Sequence, residues 1–298
     1  MSYLAIFTAP KPFTDPHINT IQRNAIRSWV ELGEDVEVFL MGNDAGVAEV
    51  AAEFGVRHFP DVATNENGIP YISDMLALTY KHSDAPMLAI VNTDIILLPD
   101  FVEAARNAQK EYPMFMLAGQ RWDLDLTEQL DFGPGWEDAL KADLANRGKL
   151  HDPTGSDYFT FTREYLTKIP EFTIGRAGWD NWMIFHAVES QWPIFDASQD
   201  VMVIHQNHDY SHLPDGQTHY KLPESKKNVA LGGGEYNMLI LMDLDQILKD
   251  GVVKKKPRSW LRLVRIVERA IEPPGEIKGV FGRIFRIIRR YRKRLMYG

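Results

Sequence analysis

Over the first 120 residues, short apolar runs alternate with stretches of helical spacing. Residues 3–8 read as a strand. Apolar positions 18, 21, 25, 26, 29, 30 and 32 follow a helical period that Gly33 ends. A second strand covers 36–41 and closes on Gly42-Asn43-Asp44; a short helix over 47–54 is followed by Gly55, and a third strand covers 56–59. Residues 72–82 form a helix opened by Pro70 or Ser73, 88–91 a fourth strand, Pro99-Asp100 the start of another helix, and 114–118 a fifth strand. This alternation predicts an α/β fold with a mostly parallel sheet covered on both faces. Ligands of such sheets sit beyond the carboxyl ends of the strands. Thr8-Ala9-Pro10, Gly42-Asn43-Asp44 and Asn92-Thr93-Asp94 all fall at such ends.

Past residue 120 the pattern loosens. Residues 121–155 are polar and irregular, with Gly133-Pro134-Gly135 as a turn, and 155–161 begin a strand again. Asp180 lies near a helix start, 201–204 form a late strand followed by His205-Gln206-Asn207-His208, and 236–248 have helical character. No internal repeat or low-complexity segment is present.

The candidate chemistry centres on 87–100, where the Asn92-Thr93-Asp94 triplet interrupts two apolar runs. A carboxylate at the tip of a buried strand is costly without a partner, and a divalent cation is a common one. The plain alternative is a turn in which Asp94 caps the next helix. Four of the nine histidines stand at 205, 208, 212 and 219. A strand-end His with a strand-end Asp makes a two-point metal site; the alternative is a solvated, His-rich loop. Cysteine is absent and no HExxH occurs, which excludes disulfides, thiolate sites, Cys nucleophiles and the familiar closed zinc patterns. Asp180 sits in Gly178-Trp179-Asp180-Asn181-Trp182, either as a helix cap between packed tryptophans or as a general base in an aromatic-walled cleft.

In this order, over about residues 3 to 210, these parts resemble the GT-A type glycosyltransferases of the nucleotide-diphospho-sugar transferase superfamily. The resemblance implies a GT-A-like, mostly parallel mixed sheet flanked by helices. It implies sugar transfer from a UDP- or GDP-linked donor to an acceptor hydroxyl, assisted by Mn2+ or Mg2+. Residue by residue it implies Thr8 and Asp44 for the nucleoside, and Ser73 or Asp74 beside the donor. Asn92 and Asp94 stand in the Asp-x-Asp position, with Asp94 on the metal, and Arg121 faces the diphosphate, its alternative being a surface ion pair. Asp180 is the base, and His205 or His208 closes the metal shell. The departure is Asn92, where the motif has its first Asp; an amide bonds a hydroxyl but brings no charge. That leaves a non-catalytic, membrane-associated adaptor as a rival. A nucleotidyltransferase is a second rival, disfavoured because the loop 8–14 has no glycine, and a hydrolase built on the histidines of 205–219 is a third.

Composition adds a division. The 298 residues are 45% hydrophobic and 25% charged, ordinary for a globular chain, with a net charge of −8. Residues 252–298 carry 15 Lys/Arg against 3 Glu, a net of +12, so the preceding 251 residues carry −20. The expected organisation is a catalytic domain over 1–251 and a basic amphipathic helical tail over 252–298. In the tail Trp260, Leu261, Val264, Val267 and Ile271 share one helical face, and Phe281, Ile284, Phe285, Ile288, Tyr291 and Leu295 another, with Pro273-Pro274-Gly275 between. Such helices lie on anionic membranes. The alternative is packing on the body or on a second subunit, as in a homo-oligomer; nucleic acid is disfavoured by the acidic body. The N-terminus lacks signal-peptide regions and no run of about 18 apolar residues occurs. The expectation is therefore a cytoplasmic, peripherally membrane-associated protein meeting a glycan or lipid-linked acceptor.

Overall fold

The computed structural model describes residues 1–208, 219–272 and 279–297. Strands β1 (Leu4–Thr8), β2 (Val36–Met41) and β3 (Arg57–Phe59) run parallel, joined by helices α1 (Pro16–Val30) and α2 (Val47–Phe54). Helix α3 (Ile72–His82) returns the chain to β4 (Met87–Val91), which pairs parallel with β1 on its free side. The winding direction reverses between β1 and β4, which opens a crevice beyond their carboxyl ends. Thr8 ends one of these strands, and Asn92-Thr93-Asp94 follows the other.

The chain continues through β5 (Ile95–Ile96), α4 (Asp100–Gln109), β6 (Met116–Ala118), β7 (Arg121–Leu124), α5 (Trp136–Arg147), β8 (Lys149–Leu150), β9 (Tyr158–Thr162), α6 (Trp179–Glu189), β10 (Ile194–Asp196) and β11 (Val203–Gln206). It ends with α7 (Pro223–Leu231), β12 (Gln246–Lys249), β13 (Val252–Lys255), α8 (Trp260–Ala270) and α9 (Gly279–Tyr297). Nine strands form the main sheet in the order β13-β12-β10-β6-β9-β4-β1-β2-β3, parallel except for β9 and β13. This is the mostly parallel mixed sheet flanked by helices that the GT-A resemblance implies. Apolar side chains of its two faces enter separate core clusters, Leu4, Ile6 and Leu40 in one, Ala5, Phe7 and Phe39 in the other, as strands buried on both sides require.

A second sheet, ordered β5-β11-β7-β8, stands at the crevice. Its register sets His205 opposite Ile95 on one side and Asp123 on the other. Period-two alternation sorts β7: Trp122 and Leu124 pack with Ile96, Ile204, Leu140 and Leu144, while Arg121 and Asp123 emerge on the opposite face. Helix α1 buttresses this sheet. Asp15 caps it by accepting from Ile18 N–H at 2.9 Å, with Pro16 at its first position. Its buried Trp29 donates to Ile95 O at 2.9 Å, and Asn24 donates to Gln206 Oε1 at 2.9 Å.

Several expectations needed correction. Residues 121–155 are not irregular: β7, α5 and β8 lie there, because Trp136, Leu140 and Leu144 give α5 an apolar edge over the second sheet. The late strand runs to Gln206, so His205 is a ladder residue and does not follow the strand. Residues 236–248 are not a helix but two 3-10 turns and β12; Asp243 accepts from Ile240 N–H at 2.9 Å, and the Asp250-Gly251 turn folds β13 back on β12. Residues 252–255, the start of the basic segment, are thus the edge strand of the main sheet. The turn at 273–275 and the histidines at 212 and 219 fall outside the residues or side chains described.

The two C-terminal helices bury charge and expose apolar side chains. Arg265 pairs with Asp243 at 2.8 Å and Glu268 at 3.1 Å; Arg292 also grips Glu268, and Arg262 reaches Asp245 and Leu244 O. Leu263, Ile266, Val267, Val280, Phe281 and Ile287 face outward. The helical faces grouped from the sequence are thereby divided, since Val264 and Phe285 are buried while Trp260 and Phe281 are not. No helix among the described residues is long and apolar enough to cross a membrane.

Removing one partner of a buried ion pair strands the other charge, at a cost of about 3–5 kcal/mol. Glu268→Ala should lower the unfolding free energy by that order in a denaturant titration, whereas Ile266→Ala on the exposed side should change it by less than about 0.5 kcal/mol.

Candidate metal and donor site

The crevice between β1 and β4 holds one concentrated group of ionisable side chains. Ligand atoms of Asp94, His205 and His208 lie within 4.8 Å of one another. His208 Nε2 is 3.1 Å and His205 Nε2 is 3.9 Å from Asp94 Oδ2. The other oxygen, Oδ1, is buried with no hydrogen-bond partner among the described residues. A buried carboxylate oxygen without a partner, beside two imidazoles, is a donor arrangement able to take a cation. The donor set fits a divalent ion, and its two nitrogens favour Mn2+ or a softer ion over Mg2+.

Local folding explains the convergence. Asp94 lies one residue before β5, Gln206 N–H donates to Asp94 O at 3.1 Å, and the β5–β11 ladder sets His205 alongside. His205 is oriented by its far nitrogen: Nδ1 lies 3.3 Å from Asp123 Oδ1, leaving Nε2 toward Asp94. Asp123 is itself held by His151 Nδ1 at 2.7 Å and Arg121 Nε at 2.9 Å. Arg121 Nη1 reaches Asp157 at 2.8 Å, and Asp157 accepts from Asn92 Nδ2 at 2.7 Å. Asn92, Arg121, Asp157, Asp123, His151 and His205 thus form one continuous polar frame around Asp94.

Electrostatics follow the frame. Burial by itself would raise the Asp94 pKa, but the His208 hydrogen bond and the His205 and Lys11 charges outweigh it and hold the carboxyl well below the usual range. Asp123 behaves alike, with His151, His205 and Arg121 overcoming burial. Burial pulls the Lys11 ammonium down, and Asp94 only partly offsets this. Lys11 Nζ stands 3.3 Å from His208 Nε2 and 3.8 Å from Asp94 Oδ2. Its backbone is pinned by Gln22, which accepts from Lys11 N–H at 2.7 Å and donates to Lys11 O at 2.9 Å. Lys11 thus supplies a tethered positive charge at the place a cation would occupy.

The other residues implied by the resemblance lie around this centre. Thr8 is buried, its hydroxyl 3.5 Å from that of Thr93. Asp44 is exposed in the loop after β2, and Ser73 sits in the first turn of α3, where neighbouring Asp74 accepts from Ala63 N–H at 2.7 Å. Neither Asp44 nor Ser73 has a described hydrogen bond to the Asp94 group. Asp180 occupies the first turn of α6 and accepts from Gly178 N–H at 3.2 Å. Gly178 has φ 107°, and a Cβ there would press on Val229, so glycine is required at the cap. Burial pushes the Asp180 carboxyl up to about 6; backbone N–H groups oppose this and the Asp157 charge reinforces it. Trp179 and Trp182 offer no open sugar platform: both are core residues, packed on Phe159 and on Phe172 and His186.

Lys11, Asp123, His151 and Asp157 were not singled out from the sequence. For Asp123 the alternation Arg121-Trp122-Asp123-Leu124 was an available signal; Lys11, His151 and Asp157 depend on contacts distant along the chain.

No protein-family model matches the chain, and no curated protein matches it in sequence. Among solved structures it is similar to glucosyl-3-phosphoglycerate synthase from Mycobacterium tuberculosis in complex with Mg2+ and UDP, with 15% identity, TM-score 0.48, and 77% of this chain and 78% of that chain covered. The same synthase with Mn2+, UDP and phosphoglyceric acid gives 14% identity, TM-score 0.49, and coverage of 87% and 88%. A further mycobacterial protein gives 15% identity, TM-score 0.46, and coverage of 77% and 73%.

An ammonium this close to the metal ligands competes with a divalent ion. Lys11→Met should tighten Mn2+ binding, by up to about tenfold, in calorimetric titration; weaker binding would mean that Lys11 helps to hold the ion.

Proposed function

We propose that the chain is a divalent-metal-assisted glycosyltransferase that uses a nucleotide-diphosphate sugar. The observation that carries this reading is the Asp94–His205–His208 group, with its orphaned carboxylate oxygen, at the point where the sheet reverses its winding. Asp94 and the two imidazoles would hold the ion, which when bound supplies a Lewis acid for the negative charge growing on a leaving diphosphate. Thr8 and Thr93 place hydroxyls at the switch point, within reach of a nucleoside. The frame through Arg121, Asp157 and Asn92 keeps these groups in position and leaves Arg121 engaged by carboxylates on two of its nitrogens. Asn92 therefore serves the frame, and the second histidine offers a neutral ligand atom where the Asp-x-Asp pattern has a second carboxylate.

Asp180 takes the acceptor's proton in this reading. A carboxyl raised to about 6 is a stronger base than an exposed one and is ionised above that pH. The raised pKa means the protonated, inactive form predominates below about 6, so the rate climbs as pH rises through that value. With Mn2+ and UDP- or GDP-linked sugars, nucleoside diphosphate release should show this acid limb. Asp180→Asn should lower the rate by about a hundredfold or more. Metal-independent release, or a limb unchanged in the variant, would count against the assignment.

The site of action we infer to be an anionic membrane surface, reached by a cytoplasmic protein, with a glycan or lipid-linked acceptor. The exposed stripe of Val280, Ile284, Ile287, Tyr291 and Leu295 on α9 adjoins that of α8, where Trp260 Nε1 donates to Tyr291 Oη at 3.2 Å. Arg283, Arg290 and Arg294 lie exposed along one edge of the stripe, an arrangement complementary to anionic headgroups. Flotation with phosphatidylglycerol vesicles should carry the protein upward, and the double variant Phe281→Glu, Ile287→Glu should remain at the bottom. Equal flotation of both would contradict the surface assigned.

A further inference from the structure

A cavity of about 640 Å3 lies between the body and the C-terminal helices, within the range of small-molecule sites. One wall includes Thr154, Ala177 and Asn181. These residues adjoin the proposed base: Asn181 follows Asp180, and a Cβ on Gly155, next to Thr154, would stand 3.4 Å from Asp180 Oδ2. Asn181 donates to Thr154 O at 3.1 Å and Leu239 O at 2.9 Å, which fixes that wall. Helix α9 also lines it, with Arg289, Arg292 and Lys293, as does Lys226 of α7.

The charges lining the cavity do not cancel. Glu268 is held by Arg265 and Arg292, and Glu272 by Arg269. Among the described residues this leaves Lys226, Arg289 and Lys293 without a carboxylate partner, against Glu235. Three cations without a carboxylate partner in a partly enclosed cavity, on a body whose preceding sequence is strongly acidic, are a local reversal of sign suited to an anion.

Resting on the transferase reading, we propose that this cavity receives the acceptor, and that the acceptor carries a phosphate group. Lys226, Arg289 and Lys293 grip the phosphate while the acceptor's hydroxyl end meets Asp180. The helix that presents the outward apolar stripe also supplies two of these cations, so a phosphate on a membrane lipid and a soluble sugar phosphate both satisfy the chemistry.

The test uses the full chain saturated with Mn2+ and whichever of UDP or GDP it binds, so that the donor's diphosphate position is filled. Failure to bind either nucleotide with Mn2+ would sink the transferase reading, and that failure is distinguishable from a failure of the cavity to take phosphate. Glucose 6-phosphate and vesicles containing a polyprenyl phosphate are then titrated, with glucose and phosphatidylglycerol vesicles as uncharged and lipid-only controls. Preferential binding of either phosphate probe over its control is expected, and the probe that binds identifies the source. The double variant Arg289→Gln, Lys293→Gln should weaken that binding by about tenfold or more while leaving nucleotide and Mn2+ affinity unchanged. Lys226→Gln on the other element provides the same readout if the α9 variant does not fold. Absence of any preference for phosphate, or a preference that all these variants retain, would overturn the proposal.

Discussion

A buried carboxylate that lacks enough partners is the constraint around which this molecule is arranged. Asp94 stands at the end of a fully buried strand, with one oxygen facing two imidazoles and an ammonium and the other facing no hydrogen-bond partner among the described residues. Desolvation opposes its ionisation, and only the surrounding positive charge reverses that. The second sheet makes this possible. By pairing β11 between β5 and β7 it brings residues more than a hundred positions apart into one ladder, and it sends Arg121, Asp123 and His205 to the same side.

The frame behind the ligands matters as much as the ligands. Asp123 sets which nitrogen of His205 faces Asp94, His151 and Arg121 hold Asp123, and Asp157 ties Arg121 to Asn92. Through Asp157 the frame also reaches Asp180, whose carboxyl is raised by burial and by that neighbouring charge. The two ends of the frame are therefore electrostatically connected, with opposite shifts on Asp94 and Asp180.

Much of this was legible in the sequence where the signal was local. The strands and helices before residue 92 follow from apolar period, and β2, α2 and α3 match the expected bounds. A polar triplet breaking an apolar run marked Asp94, and the group of histidines at 205–219, narrowed by the resemblance to His205 or His208, supplied its partners. Signals that require a partner elsewhere were not legible. The Asn92–Asp157 bond joins residues 65 apart, and Lys11 enters the site because Gln22 clamps its backbone. Helix α5 was hidden by its charged composition, although Gly135 and the Trp136, Leu140, Leu144 spacing marked it. On α8, periodicity defined an apolar face but not its direction. Asp243 and Glu268 decide that, because they draw Arg265 inward and turn Leu263, Ile266 and Val267 to the outside.

Charge placement thus links the two ends of the chain: histidines and a lysine converge on one buried acid, and arginines bury themselves on others to orient the terminal helices. The central claim is that Asp94, His205 and His208 share one divalent ion. Electron spin-echo modulation of the Mn2+-loaded protein tests it most directly. Coupling to two imidazole nitrogens, reduced to one in His205→Ala and in His208→Ala, is the predicted result; a Mn2+ signal without nitrogen coupling would contradict it.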